Sequence, residues 1–179
     1  FIPGSTYVLT NKKYPGKSMD LNESGKLHAA ATDLSKTTQQ WVFESATGED
    51  TYYIKNRATG KYLGNLAKSV QISADAGERS SAMAYKLFDL GNALWALQCQ
   101  TDKNQMSLHA DAGGKVVGWY HTAGDNDGSW WYLTATSVDE DNLMVEQLEA
   151  LAQKTRELLS HVAVAAMGPL PLSTNAGST

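Results

Sequence analysis

Cysteine is almost absent. Cys99 stands alone among 179 residues, so no intrachain disulfide and no cysteine-based zinc cluster can form. It sits inside the apolar run Leu94–Cys99 and reads as a small core residue, with no base beside it to make a catalytic thiol. No run of about 18 apolar residues exists, which excludes a membrane-spanning helix. Positive charge is also short: 15 Lys and Arg against 19 Asp and Glu leave a net charge of −4, with no basic stripe for a nucleic acid. The four histidines, His28, His109, His121 and His161, lack metal-ligand spacing, and no motif nucleophile adjoins them. Paired carboxylates for glycoside hydrolysis would need a cleft that a small domain seldom supplies. These absences point to a chain that is not an enzyme and has no cofactor, no metal, no nucleic-acid partner and no membrane partner.

What is present is a repeat. Gln40-Trp-Val-Phe43, Tyr85-Lys-Leu-Phe88 and Trp130-Trp-Tyr-Leu133 close three segments; Phe43 to Phe88 is 45 residues, and Phe88 to Leu133 is 45 again. Tyr7–Asn11, Tyr52–Asn56 and Leu94–Gln98 open them. Lys17–Leu21, Lys61–Gly64 and Gln105–Leu108 follow, and then Leu27–Ala30, Val70–Ser73 and Val116–Tyr120. All are short, alternate with period two and favour Tyr, Val, Ile, Trp and Thr, which are strand signals. Turns such as Tyr14-Pro-Gly16, Ala58-Thr-Gly60 and Asp125-Asn-Asp-Gly128 separate them. Twelve strands in three fours suit a closed barrel capped by hairpins, since closure removes exposed edges.

Gln39-Gln40-Trp41 has the Q-x-W form that resembles the closing strand of ricin-type lectin repeats, and Asn56-Arg-Ala-Thr-Gly-Lys-Tyr-Leu63 is similar to a phrase of many bacterial members. The resemblance covers about Tyr7 to Thr136. It implies an all-β fold, a β-trefoil of three four-strand repeats (about 5–50, 51–92 and 93–136) followed by a C-terminal α-helix. Repeat two has Ala84-Tyr85-Lys86 and repeat three Ser129-Trp130-Trp131 where the Q-x-W falls in this reading. The implied function is a non-catalytic carbohydrate-binding module of a larger, exported protein, secreted or held at the cell surface or in the periplasm. The alternative is a structural or protein-interaction trefoil with decayed sugar sites.

By the same resemblance, each sugar site joins an acid after the second strand to an aromatic platform and a polar partner. A pyranose stacks its apolar face on a ring while its hydroxyls find donors and acceptors. Repeat one offers Asp20 and Asn22 but only His28 as a ring. Repeat two has Gly64 at the acidic place and no aromatic in Val70–Ser73, and is expected to be silent. Repeat three has Ser107 at the acidic place, with Trp119, Tyr120 and His121 as rings and Asp125 and Asn126 in the next loop. The plainer alternative packs both Trp119 and Tyr120 into the barrel floor and leaves Asp20 to stabilise a turn. Asp125–Gly128 lacks the further oxygens of a calcium loop, and the sequon Asn22-Glu23-Ser24 reads as a chance match.

The pattern changes at Ser137. Ser137-Val-Asp-Glu140 reads as a capping box, and Met144, Leu148, Leu151, Thr155, Leu158 and Val162 recur at 4-3-4-3-4 spacing, which predicts an amphipathic helix over 137–167. Its stripe is free to dock on the barrel, to begin a neighbouring domain of the parent protein, or to pair with a second copy. Residues 168–179 have linker composition, and with the Phe1 start they lead us to expect a trimmed piece of a larger protein.

Overall fold

The computed structural model describes residues 1–100, 105–122 and 126–168, with the side chains of all of these except 137–143. They fall into two units, Phe1–Asp139 and Glu140–Thr179. The first carries twelve strands. The four of repeat one are β1 (Thr6–Asn11), β2 (Lys17–Leu21), β3 (Leu27–Ala31) and β4 (Trp41–Ser45). Repeat two supplies β5 (Thr51–Asn56), β6 (Tyr62–Leu63), β7 (Ala74–Ala76) and β8 (Ala84–Gly91). Repeat three supplies β9 (Leu94–Cys99), β10 (Ser107–Ala110), β11 (Val116–Trp119) and β12 (Trp131–Ala135).

The first and last strand of each repeat form the barrel. β1 pairs with β4, β4 with β5, β5 with β8, β8 with β9, β9 with β12, and β12 returns to β1, all antiparallel. The hairpins β2–β3, β6–β7 and β10–β11 cap it. They meet around a pseudo-threefold axis at Leu27, Ile72 and Val116, all buried. There the Leu27 N–H donates to the Ile72 carbonyl (3.0 Å) and the Ile72 N–H to the Val116 carbonyl (3.0 Å).

Three aromatic residues close the repeats, and each is fully buried with its polar atom satisfied. Trp41 Nε1 donates to the Met19 carbonyl (3.0 Å), Tyr85 Oη to that of Gly64 (2.7 Å), and Trp131 Nε1 to that of Leu108 (2.9 Å). A buried N–H or O–H without a partner costs about 1–3 kcal/mol, so these bonds fix where each ring can sit.

That alignment corrects the 45-residue register. Tyr85 takes the place of Trp41, so the Q-x-W position of repeat two is Met83-Ala84-Tyr85, one residue earlier than read. Leu87, not Phe88, therefore occupies the core position of Phe43: Leu87 is 4% exposed, whereas Phe88 lies half-buried against the His121 ring, centroids 4.9 Å apart. One residue of slip sends a strand side chain to the other face. Two short strands also differ. β7 begins at Ala74, and Gln71 and Ser73 in the expected Val70–Ser73 make only single bridges to Val117 and Lys26. β10 runs from Ser107 to Ala110, two residues later than Gln105–Leu108.

β8 turns into β9 through Asn92 and Ala93, both left-handed (φ 55° and 63°). The type I′ geometry matches strand twist and suits Asn-Gly. An alanine there pays about 1–2 kcal/mol of backbone strain, part of which a glycine returns through a looser unfolded chain. Ala93→Gly is therefore expected to stabilise the domain by about 0.5 kcal/mol, read as a higher urea midpoint at unchanged slope.

The predicted helix is present as α1, Ser137–Met167, and most of it lies in the second unit. Gly168 follows with φ 66°, a left-handed residue suited to ending a helix. Met144, Leu148, Leu151, Leu158 and Val162 are exposed along it.

Candidate functional site

In repeat one, Asp20 on β2 faces His28 on β3. Its carboxylate is fully buried: Oδ1 accepts the Leu21 N–H (2.8 Å), while Oδ2 accepts Lys36 Nζ (2.8 Å) and Gln39 Nε2 (3.3 Å), with His28 Nε2 at 3.8 Å. Burial pushes this carboxyl up, but the hydrogen bonds and the Lys36 charge outweigh it and hold the group below its usual value. Its oxygens are already engaged by the protein. β3 beyond His28 is Ala29-Ala30-Ala31 and carries no further ring. Asn22 closes the β2–β3 turn, its Oδ1 accepting the N–H groups of Ser24 (2.9 Å) and Lys26 (3.0 Å).

The same hydrogen bonds locate the corresponding groups of repeat three. Trp41 binds the carbonyl just before Asp20, and Trp131 binds that of Leu108, just before His109. Asp111 Oδ1 accepts the Lys115 N–H (2.9 Å) as Asn22 accepts that of Lys26. His109, not Ser107, thus stands where Asp20 stands. Ser129 takes the place of Gln39: Gln39 Nε2 reaches Asp20 and the Ala31 carbonyl (2.8 Å), and Ser129 Oγ reaches His109 Nδ1 (2.7 Å) and the Tyr120 carbonyl (2.6 Å). Ser107 matches Ser18: Ser18 Oγ pairs with Thr32 Oγ1 (2.7 Å), and Ser107 Oγ pairs with His121 Nδ1 (2.6 Å). The expected placement of Ser107 followed the pairing of Gln105–Leu108 with Lys17–Leu21, whereas β10 begins two residues later. A two-residue slip keeps the strand face, so periodicity could not reveal it.

Ser129 has one hydroxyl proton, and donating it to the Tyr120 carbonyl means that His109 Nδ1–H donates to Ser129. His109 Nε2 then keeps a free lone pair, an acceptor in place of the carboxylate. Gly128 makes room for this ring, since a Cβ there would lie 2.7 Å from His109 Cε1. Burial, then the charge of Lys13, hold the His109 pKa below its ordinary 6.5, against the opposing pull of Asp111 and Asp127; burial also lowers His121. Folding disfavours the charged form of both rings. Their contribution to stability is fully present above pH 6.5 and is lost as pH falls through their lowered folded values. Melting temperature should therefore drop on acidification below pH 6.5, ahead of the carboxylate range, and His109→Gln should flatten that first limb.

Trp119 ends β11 and Tyr120 follows it. Trp119 is half-buried, Tyr120 is 43% exposed, and neither packs the barrel core. Their ring centroids are 5.4 Å apart at 62°. Trp119 Nε1 donates to Asn126 Oδ1 (3.2 Å), whose Nδ2 donates to the Thr122 carbonyl (2.6 Å). His109 lies 6.2 Å from the Trp119 ring, and Lys68 Nζ stands 5.0 Å from the Trp119 centroid and 5.5 Å from that of Tyr120. The structure thus gathers Trp119, Tyr120, Asn126, Ser107 and His121 in one repeat, apart from Asp20 and Asn22; Asp125 lies outside the described residues. Sequence reasoning missed His109, Ser129 and Lys68. The first two needed the register, and Lys68 comes from another repeat. In repeat two the acidic place falls on Asn65, whose Oδ1 accepts from Cys99 Sγ (3.6 Å).

A closed six-strand barrel with three hairpins about a pseudo-threefold axis, carrying rings and polar groups on a hairpin, defines a β-trefoil of the lectin kind. The family model for the ricin-type β-trefoil lectin domain-like group matches residues 37–139, and the chain belongs to that family. Among solved structures it is similar to the Polyporus squamosus lectin bound to the epitope Neu5Acα2-6Galβ1-4GlcNAc. That match has 16% identity and TM-score 0.63, covering 75% of this chain and 50% of that one. It is also similar to the Macrolepiota procera ricin B-like lectin in complex with lactose (18% identity, TM-score 0.57, 74% and 96% covered) and to the Rhizoctonia solani agglutinin (17%, 0.60, 75% and 97%). This chain therefore spans half the length of the Polyporus lectin. At such identities the likeness speaks for the fold alone. No curated protein matches the sequence.

Proposed function

We propose that the chain is a non-catalytic glycan-binding module of a larger, exported protein, and that its working site is in repeat three. The observation that carries this is the pairing of two solvent-accessible rings, Trp119 and Tyr120, with neighbouring polar groups at His109 and Asn126. Stacking on a ring removes apolar sugar surface from water, whereas a hydrogen bond made in open water gains little. Repeat one supports the reading by contrast, because its acid is saturated by Lys36 and Gln39 and the ring beside it is the small imidazole of His28. Two structural neighbours are lectins seen with lactose and with a sialylated trisaccharide, which agrees with an oligosaccharide ligand. The apolar stripe along α1 supports a joining role for that helix, towards a second copy or a neighbouring domain.

A glycan array probed with the unmodified chain tests the proposal. Binding to a defined oligosaccharide set that Trp119→Ala removes is the expected result. Absence of binding across the array would hand the chain to the interaction-module reading.

A further inference from the structure

We infer that the repeat-three site prefers an acidic glycan, one bearing a carboxylate or a sulfate ester, with Lys68 of repeat two supplying the counter-charge; this rests on the glycan-binding reading above. The segment that holds Lys68 is built against β11. Lys68 bridges to Gly118 in parallel, and the Ser69 N–H donates to the Gly118 carbonyl (2.8 Å). This approach requires glycine: a Cβ on residue 118 would lie 2.4 Å from the Ala67 carbonyl oxygen and 2.8 Å from its carbon. Ser69 follows with φ 59°, a left-handed conformation that a serine adopts at a cost. Backbone fit between two repeats therefore sets Lys68 over Trp119 and Tyr120, where one repeat alone would leave the rings bare.

Lys36 pairs with Asp20, and Lys55 and Arg79 pair with Glu44. Among the described residues, no carboxylate pairs with Lys68, whose contacts are ring faces. An exposed cation–π contact is worth about 0.5–1 kcal/mol and leaves the ammonium with hydrogen-bond donors to spare. An anion brought in on a sugar that stacks on these rings would be met by a cation with little else to give up. The acids near the site, Asp111 and Asp127, act on His109. His109 Nε2 is an acceptor suited to a hydroxyl, so the anionic group belongs at the Lys68 side of Trp119 and the hydroxyls at the His109 side.

The test titrates the intact chain with lactose, 3′-sialyllactose and 6′-sulfolactose, in about 0.15 M and about 1 M salt, between which screening shortens from about 8 to about 3 Å. At the lower salt at least one acidic probe should bind about tenfold tighter than lactose, a difference of about 1.4 kcal/mol. That advantage should shrink at the higher salt. Lys68→Met should bring the acidic-to-neutral ratio towards one, and Lys68→Arg, which keeps the charge, should preserve it. Equal binding of neutral and acidic probes, or a ratio unmoved by Lys68→Met, overturns the inference while leaving the glycan-binding reading in place. No binding of any of the three, together with a blank array, overturns both. Unchanged thermal melting of the two Lys68 variants excludes misfolding as the cause.

Discussion

Trp41→Ala should cost the domain about 3–5 kcal/mol and should do so for all three repeats at once. The ring is fully buried, and its removal leaves both a large cavity and a Met19 carbonyl without its donor. Because β4 pairs with β1 of its own repeat and with β5 of the next, the barrel has no repeat that can open without breaking the ring. Calorimetry should show one transition moved to lower temperature. A separate melting step for one repeat would contradict the shared core. The corrected register adds an internal control: Leu87→Ala should cost about 2–5 kcal/mol, and Phe88→Ala markedly less, since that ring is only half-buried. If Phe88→Ala were the more damaging, the assignment of Tyr85 to the place of Trp41 would be wrong.

The strands and their threefold recurrence were legible because period-two alternation and turn residues are local signals. Register was not. The repeats are 44 to 46 residues apart at the closing aromatics, Trp41, Tyr85 and Trp131, and a fixed 45-residue period absorbs the difference silently. In repeat two the error moved a side chain across the sheet, from Leu87 to Phe88. In repeat three the closing strand was read in register, and the polar position was displaced separately, by two residues from His109 to Ser107, without changing the face. The bonds from the closing aromatics Trp41, Tyr85 and Trp131 to carbonyls separate these cases. The rings of repeat three were readable as residue types, but Lys68 was not, since nothing local to residue 68 says that a missing Cβ at Gly118 draws it onto another repeat.

The second large effect concerns the site. Trp119→Ala should weaken binding of the array-identified glycan by at least about tenfold, because stacking and the area it buries are worth more than the 1.4 kcal/mol that this factor represents. Its melting temperature should barely move, since the half-buried ring lies outside the core cluster. Asp20→Ala should behave in the opposite way. Removing that carboxylate strands Lys36 and leaves Gln39 Nε2 only its bond to the Ala31 carbonyl, and should cost about 1–3 kcal/mol of stability while leaving affinity alone. Calorimetric titration and thermal melting of the two variants, run side by side, distinguish a binding group from a structural one. If affinity follows Asp20→Ala and ignores Trp119→Ala, then sugar displaces Lys36 from the Asp20 carboxylate, repeat one holds the site, and the rings of repeat three are a cation-covered surface with no ligand of their own.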